Sequence, residues 1–468
     1  METADFVVIG SGPGGYQAAI RAAHRGASVK LVEEKHIGGV CLNRGCIPTK
    51  GMVTSIDVLR TVRSSEEFGV LAKLREVSLA SIVERRERVV GKIQQGLQFL
   101  LQKNKIDVVQ GRGRLAGGRV VEAGGRKIQA GKIILATGSH PVSLPVAKPD
   151  GVSILNSDHS LDLSHVPESM AILGGGYIGC EYASIFSQLG AKVTIIELEE
   201  RLLPLMDSDL GRQLERSFKK QGIQILTGKK LESAAAEGAK VRIAMAGGDK
   251  IEAEKLLVSV GRAPNVDGLG LEAEKIQLKG DVLVNEFMET SAPGIYALGD
   301  LVGNHPLAHV AAAQARVAVG HAFGEHTPMD YRVVPSAVFT WPELASVGMS
   351  EQEAEKTCED DAASPREIRS VKFPFAALGK SVSQGETEGF VKIVGDAKTG
   401  ELVGAHIAGL HAAEMIGTFA VAMKKRMKIS ELAETIFTHP TYSEAILEAA
   451  EEWLGGAIHV SPKGKGIL

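Results

Sequence analysis

The sequence predicts an α/β protein in which one strand–loop–helix–strand unit occurs twice, followed by a region of α+β character. Three observations predict it. Gly10-Ser11-Gly12-Pro13-Gly14-Gly15 stands between an apolar run at 5–9 and an alanine-rich stretch reaching about His24, and the next apolar run ends in Glu33. Gly174-Gly175-Gly176-Tyr177-Ile178-Gly179 stands in the same relation to the runs 171–173 and 193–197, the second ending in Glu197. Beyond Pro335, strand-like stretches (337–340, 390–394, 402–407) alternate with helical ones (412–425, 429–433), with no third glycine loop.

Bulk properties narrow the class. A chain of 468 residues has room for roughly three domains. A net charge of −3 gives no basic face for nucleic acid or an anionic membrane. Four cysteines are too few for a secreted disulfide scaffold. No apolar run approaches the roughly 20 residues of a bilayer span. The chain enters a strand almost at once, which leaves no room for a signal or transit peptide, so the expected compartment is the cytoplasm.

In chain order, the first G-x-G-x-x-G (Gly10, Gly12, Gly15) lies between a strand and a helix, and Glu33 follows Gly15 by 18 residues. Glycine lets the backbone approach a pyrophosphate resting on the helix N-terminus, and an acid at the end of the second strand can accept from ribose hydroxyls. These are the parts of a Rossmann-like dinucleotide site.

Residues 37–50 carry Cys41 and Cys46. Residues five apart in a regular helix lie about 8–9 Å apart, whereas bridged cysteines need Cα atoms closer than about 7 Å. If these thiols pair, the backbone between them is a turn or a distorted helix, and Asn43 and Gly45 suit one. Pro48 is tolerated in the first turn of a helix, which places Cys46 near a helix N-terminus, where a thiolate is favoured. The alternatives are a zinc site or inert buried thiols. Zinc cysteines usually come as two close pairs, and Cys180 and Cys358 supply no second pair.

Residues 52–105 read as amphipathic helix with a solvated charged face at 84–88, and short alternating strands run from Val108 to Ile128. The strand 132–135 ends in Ala136-Thr137-Gly138-Ser139, and Pro141, Pro145 and Pro149 suggest a linker. The second glycine loop follows, with Glu197 again 18 residues after its last glycine, Gly179. Two copies imply two dinucleotides, and an acid at the ribose position favours NAD over NADP. Cys180 reads as packing. A strand at 255–260 runs into Gly261-Arg262-Ala263-Pro264-Asn265, another ends in Gly299-Asp300 at an expected ligand edge, and 307–323 is helical. His439 with Glu444 five residues on suits a general base and its orienting partner; a surface histidine in a turn is the alternative.

Taken together, the first loop with Glu33, Gly38-Gly39-Val40-Cys41 to Cys46-Ile47-Pro48-Thr49-Lys50, Ala136 to Ser139, the second loop with Glu181 and Glu197, Val260 to Asn265, Gly299-Asp300 and His439-Pro440-Thr441 to Glu444 resemble the flavin-dependent pyridine nucleotide–disulfide oxidoreductases over essentially the whole chain. The resemblance implies two Rossmann-like dinucleotide-binding domains, for FAD and NAD, and a C-terminal α+β dimerisation domain. The boundaries expected are 1–145 and 268–334 for the FAD-binding parts, 146–267 for NAD and 335–468 for the dimer interface. FAD is expected on Gly10, Gly12, Gly14, Gly15, Glu33, Lys50, Gly113, Thr137, Gly138, Ser139, Asp300 and Ala308. NAD is expected on Gly174, Gly176, Gly179, Glu181, Glu197 and Gly261. Cys41 and Cys46 become the redox disulfide, served by His439 and Glu444 of the other subunit of a homodimer, and Lys50 is expected to pair with Glu181.

Within the family, the closest likeness is to members that oxidise protein-bound dihydrolipoamide, serving a 2-oxoacid dehydrogenase complex or the glycine cleavage system. Departures are Ala311-Ala312-Ala313-Gln314, in place of a more charged stretch, and the tail from Trp453, with Lys463 and Lys465. The rival expectations are a glutathione-reductase-like disulfide reductase and a flavoprotein sensor without turnover. A mercuric reductase is disfavoured by the lack of a C-terminal cysteine pair.

Overall fold

Strand Glu2–Ile9 is the axis of the first sheet in the computed structural model, which describes residues 1–360 and 367–460. Its apolar run from Phe6 to Ile9 is buried, as a parallel strand covered on both faces should be. It pairs in parallel with Val29–Glu33 on one side and Arg126–Leu135 on the other, and Asp107–Gln110 extends the sheet beyond Val29–Glu33. The free edge of Arg126–Leu135 is shared. Its first residues pair antiparallel with Val120–Ala123, and its last three pair parallel with Ile295–Ala297. The sequence suggested short strands and then a separate strand at 132; one long strand takes both roles.

The register fixes where ligands can bind. Ile9 stands level with Val32 and Leu135, and Leu135 with Ala297. The segments that follow these residues therefore leave the sheet at one carboxyl edge, where α/β sheets receive ligands.

The stretch 52–105 is not one helix. Helix Cys46–Ser64 passes through a 3₁₀ turn, Ser65–Phe68, and ends at Gly69, whose φ of 73° is left-handed. A new helix, Leu79–Lys103, begins where the Ser78 hydroxyl accepts from the Ser81 N–H. Amphipathic spacing continues across the break, which is why periodicity alone joined the two.

The chain forms two units. The first is Met1–Val166 with Val260–Asp330; the second is Pro167–Ser259 with the chain from Tyr331 onward. In the second unit, parallel strands run in the order Gln224–Leu226, Lys192–Ile196, Ser169–Leu173, Lys255–Val258. Leu173, Ile196 and Val258 stand level, so the first sheet's edge is repeated. An antiparallel meander, Leu231–Glu237, Lys240–Met245 and Lys250–Ala253, lies between the last two in sequence.

The same unit contains an antiparallel sheet in the order Ser336–Val338, Leu344–Gly348, Leu402–Ala408, Phe390–Asp396, Ile368–Pro374. Helices Ala412–Lys424 and Glu444–Leu454 complete its core around Phe373, Phe419 and Trp453. The fully buried Lys392 of the Phe390–Asp396 strand pairs with Asp207 at 2.9 Å, Asp209 at 2.8 Å and Glu351 at 2.7 Å. Burial opposes charge on these carboxylates. For Asp207, the neighbouring His406 and the hydrogen bond from Lys392 outweigh it and hold the pKa below the ordinary carboxylate value; Lys392 likewise lowers Asp209 and Glu351.

Among the described residues, no helix is long and apolar enough to cross a membrane, and no group of three or more His, Cys, Asp or Glu could hold a metal ion. Lys463, Lys465 and the side chain of Cys358 lie outside the described residues.

Candidate active site

Strand Glu2–Ile9 ends in Gly10, at φ +99°; a Cβ there would overlap the Ala136 carbonyl, and one on Gly15 would overlap Gly10 O. Helix Pro13–His24 then starts from Gly12 with Pro13 in its first turn and no side-chain cap. Gly12 itself faces open space. Glu33 closes the loop from the side: its Oε2 accepts from the Ser11 N–H at 2.9 Å and from the Ser11 hydroxyl at 2.5 Å, and its Oε1 from the Lys35 N–H at 2.9 Å. An uncapped helix N-terminus behind an open glycine, with a nearly buried acid at the next strand end, fits a dinucleotide pyrophosphate and ribose.

The second loop repeats this arrangement. Gly174 has φ +105°, and its Cβ would stand 2.5 Å from Ser259 O; a Cβ on Gly179 would overlap Gly174 O, and Gly176 faces open space. Helix Tyr177–Leu189 has no side-chain cap. Glu197 accepts from the Gly175 N–H, and from the Glu199 N–H at 2.8 Å. These residues likewise fit a dinucleotide. Glu181 accepts from the Phe339 N–H at 3.0 Å.

The dithiol segment lies directly on the first loop. The Gly38 N–H donates to the Ser11 hydroxyl at 3.0 Å, and Gly39, at φ +61°, packs so closely on Gly12 that a Cβ would come within 2.7 Å of its Cα. Cys41 sits in the short helix Gly39–Arg44 and Cys46 opens helix Cys46–Ser64, with Gly45 breaking the path between them. The two are bridged, with Cα atoms 4.7 Å apart. Thr49 ties the first turn of the second helix back to Gly45 O, through its N–H at 3.1 Å and its hydroxyl at 2.9 Å. Cys180 is buried and reduced; burial, reinforced by Glu197 and Glu181, pushes its thiol well up and keeps it inert.

The other expected flavin residues lie along the same sheet edge. The Thr137 hydroxyl donates to Asn265 O at 2.9 Å, and Asn265 returns two bonds: its N–H to Gly138 O at 2.9 Å and its side-chain amide to Thr137 O at 2.8 Å. Ser139 donates to Asp300, and Arg262 grips Ser139 with Nε on the hydroxyl and Nη2 on the carbonyl, both at 2.7 Å. The Gly299 N–H donates to the buried Gln314 side chain at 2.7 Å, which gives the Ala311–Gln314 departure a structural role. Gly113 packs against Ile9 and Val32, and Ala308 begins helix Ala308–Ala322. Lys50 lies on helix Cys46–Ser64. Gly261 falls in the first unit, where its carbonyl accepts from the Val142 N–H at 3.0 Å.

His439 and Glu444 belong to the second unit. Nδ1 of His439 lies 2.8 Å from Glu444 Oε1, and Glu444 Oε2 accepts from the Thr441 N–H at 2.8 Å. The carboxylate engages Nδ1 and leaves Nε2 without part in that contact, and the imidazole is 79% exposed. Sequence reasoning missed Ser11 and the grips of Arg262 and Asn265. The last two lay inside a recognised motif, but nothing local says which strand end they hold.

Comparison with known proteins agrees with this geometry. Residues 4–315 match the pyridine nucleotide-disulphide oxidoreductase family, and residues 334–450 its dimerisation domain. The chain belongs to that family, and its cofactors are FAD and NAD. It is 39% identical to a dihydrolipoyl dehydrogenase of Bacillus subtilis, over 97% of this chain and 99% of that protein, and 39% identical to one from Thermus scotoductus, over 98% and 99%. Among solved structures, LpdA from Mycobacterium tuberculosis superposes with a TM-score of 0.89 at 31% identity, covering 97% of this chain and all of that one. The HOCl-induced flavoprotein disulfide reductase RclA from Escherichia coli gives 0.86 at 28% identity, over 96% and 99%.

Proposed function

We propose that this protein oxidises protein-bound dihydrolipoamide to lipoamide and reduces NAD+, in the cytoplasm, as a homodimer. The observation that carries the reading is the bridged Cys41–Cys46 pair seated on the first glycine loop. FAD would be held by Gly10, Gly12, Gly14, Gly15, Glu33, Lys50, Gly113, Thr137 to Ser139, Asp300 and Ala308, and NAD by Gly174, Gly176, Gly179, Glu181, Glu197 and Gly261. The boundaries 1–145 with 268–334, 146–267 and 335–468 follow that division of labour.

FAD, when bound, supplies the two-electron exchange between the protein dithiol and NAD+. The protein's own groups do the rest. Nε2 of His439 of the partner subunit takes the proton of one substrate thiol, and Glu444 beside it holds the ring and stabilises its cation. The substrate thiolate attacks Cys41 Sγ, breaking the bond to Cys46, which leaves as a thiolate. The second substrate thiolate displaces Cys41. The substrate departs as a disulfide, having lost two electrons, and the protein holds two reduced sulfurs. The N-terminus of helix Cys46–Ser64 favours negative charge on Cys46. Glu197 repels a 2′-phosphate and so selects NAD over NADP.

The test is purified holoprotein assayed with dihydrolipoamide against NAD+ and NADP+. Reduction of NAD+ is expected, together with a fall of about 10²–10⁴-fold in turnover for His439→Gln at unchanged flavin absorbance. Activity confined to NADPH and another disulfide would favour a reductase, and normal turnover in His439→Gln would remove the proposed base.

A further inference from the structure

The path from Cys41 to Cys46 is a helix that stops and restarts. Helix Gly39–Arg44 ends at Gly45, with φ −139° and ψ −109°, and helix Cys46–Ser64 begins at once. This break holds the two Cα atoms 4.7 Å apart, whereas a continuous helix would separate them by about 8–9 Å. While the disulfide is closed, the covalent bond enforces the break. Once it opens, that covalent constraint is gone. Some other element must hold the short distance if the couple is to close again.

Asn43, between the cysteines, is placed to do so. Its side-chain amide donates to Ile37 O at 3.1 Å and to Gly39 O at 2.7 Å, pinning the turn that leads into Cys41. Its carbonyl oxygen accepts from the side-chain amide of Gln94, on the separate helix Leu79–Lys103. That helix is fastened in turn to Cys46–Ser64 by the Arg85 guanidinium, which donates to Gly51 O at 2.9 Å. The turn before Cys41 and the helix that begins with Cys46 are therefore joined by a path of hydrogen bonds that does not pass through the sulfurs.

We infer that Asn43 and Gln94 clamp the reduced protein in its disulfide geometry and thereby set the reducing strength of the Cys41–Cys46 couple. They are positioning residues, touching neither substrate nor cofactor. The inference rests on the proposal that this pair is the redox centre. The balanced reaction is Cys41–Cys46 disulfide plus a dithiol giving two cysteine thiols plus the reagent's disulfide, with two electrons and two protons moving from reagent to protein. A clamp present in both states removes freedom only from the open one. It raises the effective concentration of each thiol at the other and favours the disulfide. Removing it makes the protein disulfide easier to reduce.

The experiment equilibrates holoprotein over graded ratios of reduced to oxidised dithiothreitol, traps free thiols by alkylation, and reads Cys41 and Cys46 by peptide mass. Asn43→Ala is expected to shift the half-reduction ratio about tenfold toward less reductant, equivalent to about 30 mV for a two-electron couple. Gln94→Met, at a half-buried position, is expected to shift it about threefold in the same direction. The double variant is expected to go no further than Asn43→Ala, because one network is removed. Half-reduction ratios unchanged in both single variants would overturn the clamp, as would lower thermal stability of the oxidised form with no shift in ratio. Should Asn43→Ala not fold, Gln94→Met decides alone. If the wild-type pair resists reduction at every ratio, the redox-centre reading fails instead.

Discussion

The two glycine loops share one backbone and differ in what the chain does next. In both, the acid ending the second strand accepts from the N–H of the residue after the first glycine, Ser11 in one copy and Gly175 in the other. In both, the segment after that acid folds back over the loop. Over the first it is Gly38 and Gly39, bound through the Ser11 hydroxyl, and it continues into the dithiol. Over the second, Leu203 N–H donates to Gly175 O at 2.9 Å, and Leu202 lies where a side chain on Gly175 would go. That segment continues to Asp207 and the buried Lys392. The glycine-loop frame is thus constant, and the returning segment carries the redox disulfide in one copy and a structural anchor in the other.

The largest effect should come from breaking each frame separately. Gly15→Val and Gly179→Val place the same side chain against equivalent carbonyls, Gly10 O and Gly174 O. The first is expected to yield protein without bound flavin, read by visible absorbance. The second should keep the flavin while raising KM for NAD+ at least about 10²-fold, equivalent to roughly 3 kcal/mol of lost binding. The same phenotype from both would mean the loops do not serve different dinucleotides.

Next in size is the anchor after the second loop. Asp207→Asn weakens one of the three contacts to the buried Lys392, and a loss of about 1.5–3 kcal/mol in unfolding free energy is expected. Asp207, Asp209 and Glu351 all have folded pKa values below their ordinary ones. Their stabilisation is therefore present above about pH 4 and lost as the pH falls through the depressed folded values. Denaturant titrations from pH 7 to pH 3 should show wild type losing stability below that point, with Asp207→Asn less steep. Parallel curves would assign acid sensitivity to other groups.

The smallest change tests the tie over the first loop. Ser11→Ala deletes the hydroxyl that donates to Glu33 and accepts from Gly38. A cost of about 1–3 kcal/mol is expected, with faster hydrogen exchange at the Gly38 amide. Unchanged exchange there would show that Gly39 packing on Gly12 suffices.

How much could be read beforehand follows from range. Both loops, both acids, the cysteine pair and the His439–Glu444 pair were legible because their chemistry is written in short spacings: glycines where a Cβ cannot fit, an acid one strand later, a histidine five residues from its carboxylate. Strands Leu344–Gly348 and Ile368–Pro374 and the break at 69–78 were not. Helical spacing runs through that break, and Ile368–Pro374 carries the exposed charges Arg369 and Lys372 among its apolar residues.

The sequence by itself determined two dinucleotide frames, a candidate dithiol and a candidate base, because each is imposed by backbone sterics or by neighbours in the chain. Only the tertiary structure decided what secures them: Asn43 to Gln94, Thr137 to Asn265 and Asp207 to Lys392. Those partners are 51, 128 and 185 residues apart. A polar side chain carries no mark of which distant strand or helix the fold will bring within hydrogen-bonding reach of it.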